Sequence, residues 1–169
     1  MTMRWWPLLL LPIAASAAPS ARPEDAIASL WRAFSHEAGA SADVATLGRL
    51  FHADGIVFGS RYRDGAPSLR ATRAADFVKS LDRIGDDAFH ECEIARDVKV
   101  YDRFATVYSV VESRTRKTSA TPDFTGVNSI QLYRLGDEWK IVSLYYQVGK
   151  DDLPIPLDGG VSGRCLDAG

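Results

Sequence analysis

The feature that most constrains this chain is a change of hydrophobic period near Phe89. From there to Val148, segments 89–101, 104–116, 126–135 and 138–148 alternate apolar and polar residues, separated by Asp102-Arg103, Thr121-Pro122-Asp123 and Gly136-Asp137. A period of two marks strands with one buried face, and connections this short force antiparallel hairpins. The C-terminal half is therefore read as an antiparallel sheet, and the residues before it must supply the cover for one face.

Three helices are available for that role. Pro23 suits an opening helical position and Glu24 and Asp25 the positive end of the dipole, while Ile27, Leu30, Trp31, Phe34 and Ala38 recur at helical spacing up to Gly39. Ser41 can cap a second helix through Val44, Leu47, Leu50 and Phe51, stopped before Asp54-Gly55 and followed by a short strand, 56–58. Residues 59–71, with Gly59, Gly65, Pro67 and no clear period, read as a loop. A third helix runs from near Thr72 through Ala74, Phe77, Val78, Leu81 and Ile84 to Gly85.

The first residues combine Arg4, an apolar run interrupted by Pro7 and Pro12, and the small-residue site Ala15-Ser16-Ala17. These are the three regions of a secretory signal peptide, and the run is too short for a membrane span. Cleavage after Ala17 would leave 152 of the 169 residues with a formal charge of −3, because Arg4 is the one charged residue removed. The division expected is a signal peptide at 1–17, one domain at 18–150 and an irregular, Asp-, Pro- and Gly-rich tail at 151–169. The mature protein is expected in the periplasm or outside the cell, free of the membrane. A mildly acidic chain lacks the footprint of a nucleic-acid binder. Cys92 and Cys165 either bridge, pinning the tail to the sheet, or remain free thiols.

The turns fix a register for each hairpin, since opposed residues share a face. With Gly136-Asp137 at the turn, one face carries Asn128, Ile130, Leu132, Trp139, Ile141, Ser143, Tyr145 and Gln147. Its apolar members crowd the turn end and its polar members the far end, as in a cone dry at the tip and polar at the mouth. The other face holds a Val142, Leu144, Tyr146 stripe, which suggests a subunit interface, a homodimer through the outer side of the sheet, or equally a covering helix. With Asp102-Arg103 at the first turn, His90, Cys92, Ile94, Arg96, Val98 and Val100 point inward with Ala105, Val107, Ser109 and Val111. Glu91, Glu93 and Glu112 then fall on the solvated side.

The order of these elements, with the stretches Gly126-Val127-Asn128-Ser129-Ile130-Gln131-Leu132 and Gly136-Asp137-Glu138-Trp139-Lys140-Ile141-Val142-Ser143-Leu144, resembles the nuclear transport factor 2-like (NTF2-like) superfamily. Within it the chain is similar to exported SnoaL-like and DUF4440-like members. The resemblance spans roughly residues 24–150 and implies an α+β cone, three N-terminal helices on a curved antiparallel sheet with a pocket between them. It carries no catalytic role to any residue here.

His90, expected inward, is the candidate acid or base, against the alternative of a strand-end histidine satisfied by backbone or water. Trp31, Phe58, Tyr62, Asn128, Ser143, Tyr145 and Gln147 are the candidate ligand contacts: an aromatic wall, and polar groups that need partners at the mouth. No set of residues with metal-ligand spacing or phosphate-cradling loop is present, so no metal and no cofactor is expected. Three functions follow: a noncatalytic or weakly catalytic binder of a small, partly apolar molecule, a cofactor-independent isomerase or lyase, or an interaction module with a filled cone.

Overall fold

The computed structural model describes residues 21–150 and 152–166. The expected signal peptide lies outside these residues. Three helices, α1 (Pro23–Phe34), α2 (Val44–Leu50) and α3 (Ala74–Ser80), accompany six strands: β1 (Phe51–Arg63), β2 (Ala66–Arg73), β3 (His90–Tyr101), β4 (Phe104–Arg114), β5 (Phe124–Leu135) and β6 (Glu138–Val148). The strands form one sheet in the order β2-β1-β6-β5-β4-β3. The helices cover one of its faces.

The four C-terminal strands stand where the period of two put them, but the sheet is mixed rather than antiparallel, because β1 runs parallel to β6. The expected loop 59–71 is instead a hairpin. β1 continues to Arg63, turns at Asp64 (φ 50°) and Gly65 (φ 76°), and returns as β2, with Arg63 opposite Ala66. Two consecutive residues of positive φ make the tight turn that matches strand twist, and aspartate and glycine are the residues that tolerate it. β2 is an edge strand exposed at nearly every position, so it carries no apolar alternation to read. Asp54-Gly55 is likewise no stop before the strand, since it lies inside β1 where the pairing with β6 shifts between Phe51 and Ile56.

Helix α1 opens on Pro23, with Glu24 and Asp25 in its first turn, and buries Ala26, Ile27, Leu30, Trp31 and Phe34. Ile27 and Leu30 are fully buried, each worth about 1.5–3 kcal/mol relative to exposure. The helix ends at Phe34, short of the expected Gly39, because Ser35 turns extended and the chain joins the sheet: His36 and Phe89 exchange backbone hydrogen bonds of 2.7 and 2.8 Å. Helix α2 is capped by Asp43, whose carboxylate accepts from the Thr46 N–H at 2.9 Å, rather than by Ser41. Helices and sheet enclose a core in which Ile130, Leu132 and Ile141 have no exposed surface.

The registers repeat the sequence expectation near both turns and then depart from it. Leu135 to Leu132 oppose Glu138 to Ile141 as expected, after which Val142 is left without an opposing residue and Gln131 meets Ser143. In the first hairpin the expected pairs hold from Tyr101–Phe104 to Ala95–Val110. Ile94 is then skipped and Glu93 meets Val111. Each is a one-residue bulge, and a one-residue slip sends every later side chain to the other face. The tips of the hairpins therefore match the sequence reading, and the mouth ends are inverted on β3 and β6.

That inversion removes the proposed stripe. Leu144 is 2% exposed inside the core and Tyr146 packs beside it, so neither belongs to an outer interface. The C-terminal segment has no regular structure, yet it is bound down. Residues 153–166 cross the outer face of β3 and β4, where Ile155 and Leu157 pack on Cys92, Ile94, Ala95 and Val110. Cys165 is joined to Cys92 by a disulfide with Cα atoms 5.1 Å apart, which resolves the alternative left open by the sequence. Glu112, 2% exposed, holds this strap through the Ser162 hydroxyl at 2.5 Å and the Gly163 N–H at 3.0 Å, with Arg114 2.7 Å away.

Candidate functional site

A cavity of about 260 Å³ lies at the mouth end of the sheet, under the helices. Helix α1 contributes Trp31 and Phe34, α3 contributes Phe77 and Leu81, and Phe89 closes the side where the chain enters β3. The strands supply Glu91, Val111, Ser113, Phe124, Gly126, Asn128, Leu144, Tyr146 and Val148. At about 30 Å³ per water it has room for about nine waters, so it suits a molecule smaller than drug-sized ligands. Its wall is overwhelmingly apolar.

The chain ties the cavity's polar corner in place. Ser35, just past the end of α1, donates its hydroxyl to the Trp31 carbonyl at 2.9 Å and accepts the Glu91 N–H at 2.9 Å. This locks the start of β3 to the end of α1, and the bulge at Ile94 turns Glu91 inward opposite Ser113. The Ser113 hydroxyl lies 3.2 Å from both Glu91 carboxyl oxygens. Desolvation among the apolar walls drives the Glu91 pKa from its ordinary 4.5 up to about 8, against the opposing pull of the Ser113 hydrogen bond. At neutral pH Glu91 is therefore mostly a neutral carboxylic acid. The neighbouring Glu93 also points inward but is spoken for: its carboxylate takes a forked contact from Arg96 and the Ser109 hydroxyl at 2.6 Å.

Two further details shape the wall. Tyr146 lies over Gly59, where an added Cβ would sit 2.4 Å from the Tyr146 hydroxyl oxygen, so a glycine is needed for the ring to occupy this place. Asn128, 5% exposed, donates from Nδ2 to the Ser109 carbonyl at 3.2 Å.

No protein-family model and no curated protein matches the sequence. Solved structures do. An NTF2-like protein of unknown function from Shewanella baltica OS155 aligns over 75% of this chain and 90% of its own at 14% identity and a TM-score of 0.55. Another from Silicibacter pomeroyi DSS-3 covers 75% and 92% at 16% identity and a TM-score of 0.51. A proposed ketosteroid isomerase from Parabacteroides distasonis ATCC 8503 covers 76% and 89% at 17% identity and a TM-score of 0.52. The fold is NTF2-like. It has the three helices and an open, mixed, six-stranded sheet, with β1 and β2 inserted before the third helix.

Within this NTF2-like frame the sequence-derived candidates separate. Trp31 and Asn128 line the cavity, as expected from their faces. His90 does not: beyond the Ile94 bulge it shares a face with Arg114 and the disulfide, its Nε2 3.8 Å from Glu37. The inward placement of His90 is thus corrected, and with it the premise that made it the acid or base. Ser143 and Tyr145 are turned to the outer face by the bulge at Val142, opposite Gln131 and Ser129. Phe58 is paired with Tyr145 and so leaves the wall as well, while Tyr62 is 45% exposed near the Lys150 ammonium. Gln147 borders the cavity, but its amide is engaged outside it, accepting from the Ser60 hydroxyl at 2.5 Å and donating to the Val148 carbonyl at 2.9 Å.

Glu91 is the residue the sequence reading passed over. A signal existed: the adjacent apolar pair Ile94-Ala95 breaks the alternation of β3, and the apolar phase of β6 changes from Trp139 and Ile141 to Leu144 and Tyr146. A break of phase inside a strand is the sequence trace of a bulge.

Proposed function

We propose that this is an exported protein that binds a small, largely apolar molecule in the mouth-end cavity, the molecule's one polar group seated against Glu91. The observation that carries this reading is the cavity itself, where a single inward carboxyl stands in an aromatic and aliphatic wall. Pockets of this composition, with few convergent polar groups and a perturbed acid, are the usual form of small-molecule sites. Export is supported by the N-terminal sequence and by the Cys92–Cys165 disulfide, a bond suited to an oxidising compartment. A homodimer through the outer sheet face belongs to the same proposal. Its support is now Phe104, Tyr133 and Tyr145, exposed on that face beside the area the C-terminal strap covers.

The test is a thermal-shift screen of small apolar molecules bearing one polar group, run on wild type and Gly126→Phe. A ligand of the folded state raises its melting temperature by mass action. Gly126 lines the cavity, and an added Cβ there meets only Gln147 O at 3.6 Å, so a large side chain can enter the open space. Hits should stabilise wild type and lose their effect on the variant. Hits that stabilise both equally bind elsewhere.

A second reading, cofactor-independent isomerase or lyase chemistry, is favoured by one observation: a carboxyl that titrates near pH 8 is matched to proton transfer close to neutrality. Glu91, and not His90, would then move the proton. If a turnover is found, it should collapse in Glu91→Gln and survive in His90→Ala. The reverse pattern rejects this assignment.

A further inference from the structure

We infer that the molecule bound in the cavity is a cation, an amine or quaternary ammonium on a small apolar body. The inference rests on the reading that this cavity is a ligand site and names the class of its ligand.

Six aromatic rings, those of Trp31, Phe34, Phe77, Phe89, Phe124 and Tyr146, line the space. Ring faces attract a cation, and the attraction grows when water is excluded. Among the described residues, Lys, Arg and His are absent from the lining and Glu91 is its sole acid. Three polar side chains of the wall already hold protein partners. The Ser113 hydroxyl is held against Glu91, the Asn128 amide donates to Ser109 and the Gln147 amide to Val148. The Tyr146 hydroxyl lies over Gly59, and the Trp31 Nε1, which has no hydrogen-bond partner among the described residues, is itself fully buried. What the wall offers a ligand is six aromatic rings and the Glu91 carboxyl. An anion would meet no positive side chain among the described lining residues, and a neutral carbonyl would gain nothing from the rings' attraction for charge, whereas a cation engages both the rings and the carboxylate.

Occupation by a cation requires Glu91 to ionise, because a buried charge is tolerated when it is paired. Within the cavity no described group competes with Glu91, although Glu91 also borders a second pocket that holds His90, Arg114 and Lys117. From α1 and α3 the groups facing Glu91 are Trp31, Phe34, Phe77 and Leu81, and from β4 Val111 and Ser113. From β5 comes Asn128, and from β6 comes Tyr146, the one other titratable side chain in the lining. Glu93, on the same face of β3, is taken by Arg96. Glu37, His90 and the Glu112–Arg114 pair do not line the cavity. Cation binding is therefore coupled to release of the Glu91 proton.

The experiment is calorimetric titration of the folded chain with phenyltrimethylammonium, which cannot titrate, alongside benzyl alcohol and benzoate, in buffers of different ionisation enthalpy. With Glu91 titrating at about 8, about nine-tenths of a proton should be released per ligand at pH 7 and about one-tenth at pH 9. Affinity for phenyltrimethylammonium should rise about tenfold over the same interval. Glu91→Gln should bind it at least about tenfold more weakly, without pH dependence. Preference for benzyl alcohol or benzoate, or cation binding with no proton release, overturns the inference while leaving the cavity a ligand site. Binding by none of the three, in wild type as in Gly126→Phe, overturns both. The proton count is read on wild type, so it decides the matter even if Glu91→Gln folds poorly.

Discussion

Replacing Glu91 with glutamine should make the protein more stable in a way that depends on pH. In the unfolded chain this carboxyl ionises near 4.5, whereas in the folded protein it holds its proton until about pH 8. Below pH 4.5 both states carry the proton and Glu91 costs nothing. Between 4.5 and 8 only the unfolded state has released it, so stability falls with rising pH, and above 8 the cost is constant. At 1.36 kcal/mol for each pH unit between the two values, the ceiling is about 5 kcal/mol. Glutamine keeps the shape and can still meet Ser113, but has no proton to lose. Urea unfolding at pH 4 and pH 8.5 should show Glu91→Gln equal to wild type at the first and up to about 5 kcal/mol more stable at the second. An equal difference at both would refute a half-buried, neutral Glu91.

Other consequences concern the strap over β3 and β4. Cys165→Ser should cost about 4 kcal/mol in unfolding free energy, the loop entropy of a bridge spanning 73 residues, and an effect of a few tenths would show that the strap is held without it. Gly160→Ala would place a Cβ 2.3 Å from the Ile94 carbonyl, and should cost about 1–3 kcal/mol and speed amide exchange at Leu166, whose N–H bonds Glu93 O. Hydrogen bonds from Ser162, Arg114 and the Gly163 N–H outweigh burial and hold Glu112 below its ordinary value. Its contribution is therefore present above about 4.5 and lost as pH falls through the folded value. The protection factor at Gly163, its exchange rate relative to the intrinsic rate at the same pH, should fall on acidification in wild type and be insensitive to it in Glu112→Gln.

The fold was largely legible because its strongest signals are local. Alternation fixed the four long strands, and the turns at Asp102-Arg103 and Gly136-Asp137 fixed the pairs next to them. The site was less legible because it lies at the opposite end, beyond the bulges at Ile94 and Val142. A register carried forward from the turn places Glu91 in solvent and His90 in the cavity, and one skipped residue exchanges them. The β1–β2 hairpin escaped for a different reason. An exposed edge strand has no buried face to pattern, and its Asp64-Gly65 turn was the one local sign. Pairing of Cys92 with Cys165 depends on how the strap folds back, which spacing cannot state.

The claim on which the functional reading depends is that the mouth-end cavity is open to a small apolar molecule. Methyl NMR of Leu81, Val111, Leu144 and Val148 during titration with benzene, in wild type and in Gly126→Phe, tests it directly. Saturable shifts concentrated at these methyls in wild type and absent in Gly126→Phe are the predicted result. Shifts that fail to saturate, or that persist unchanged in the filled variant, would contradict it.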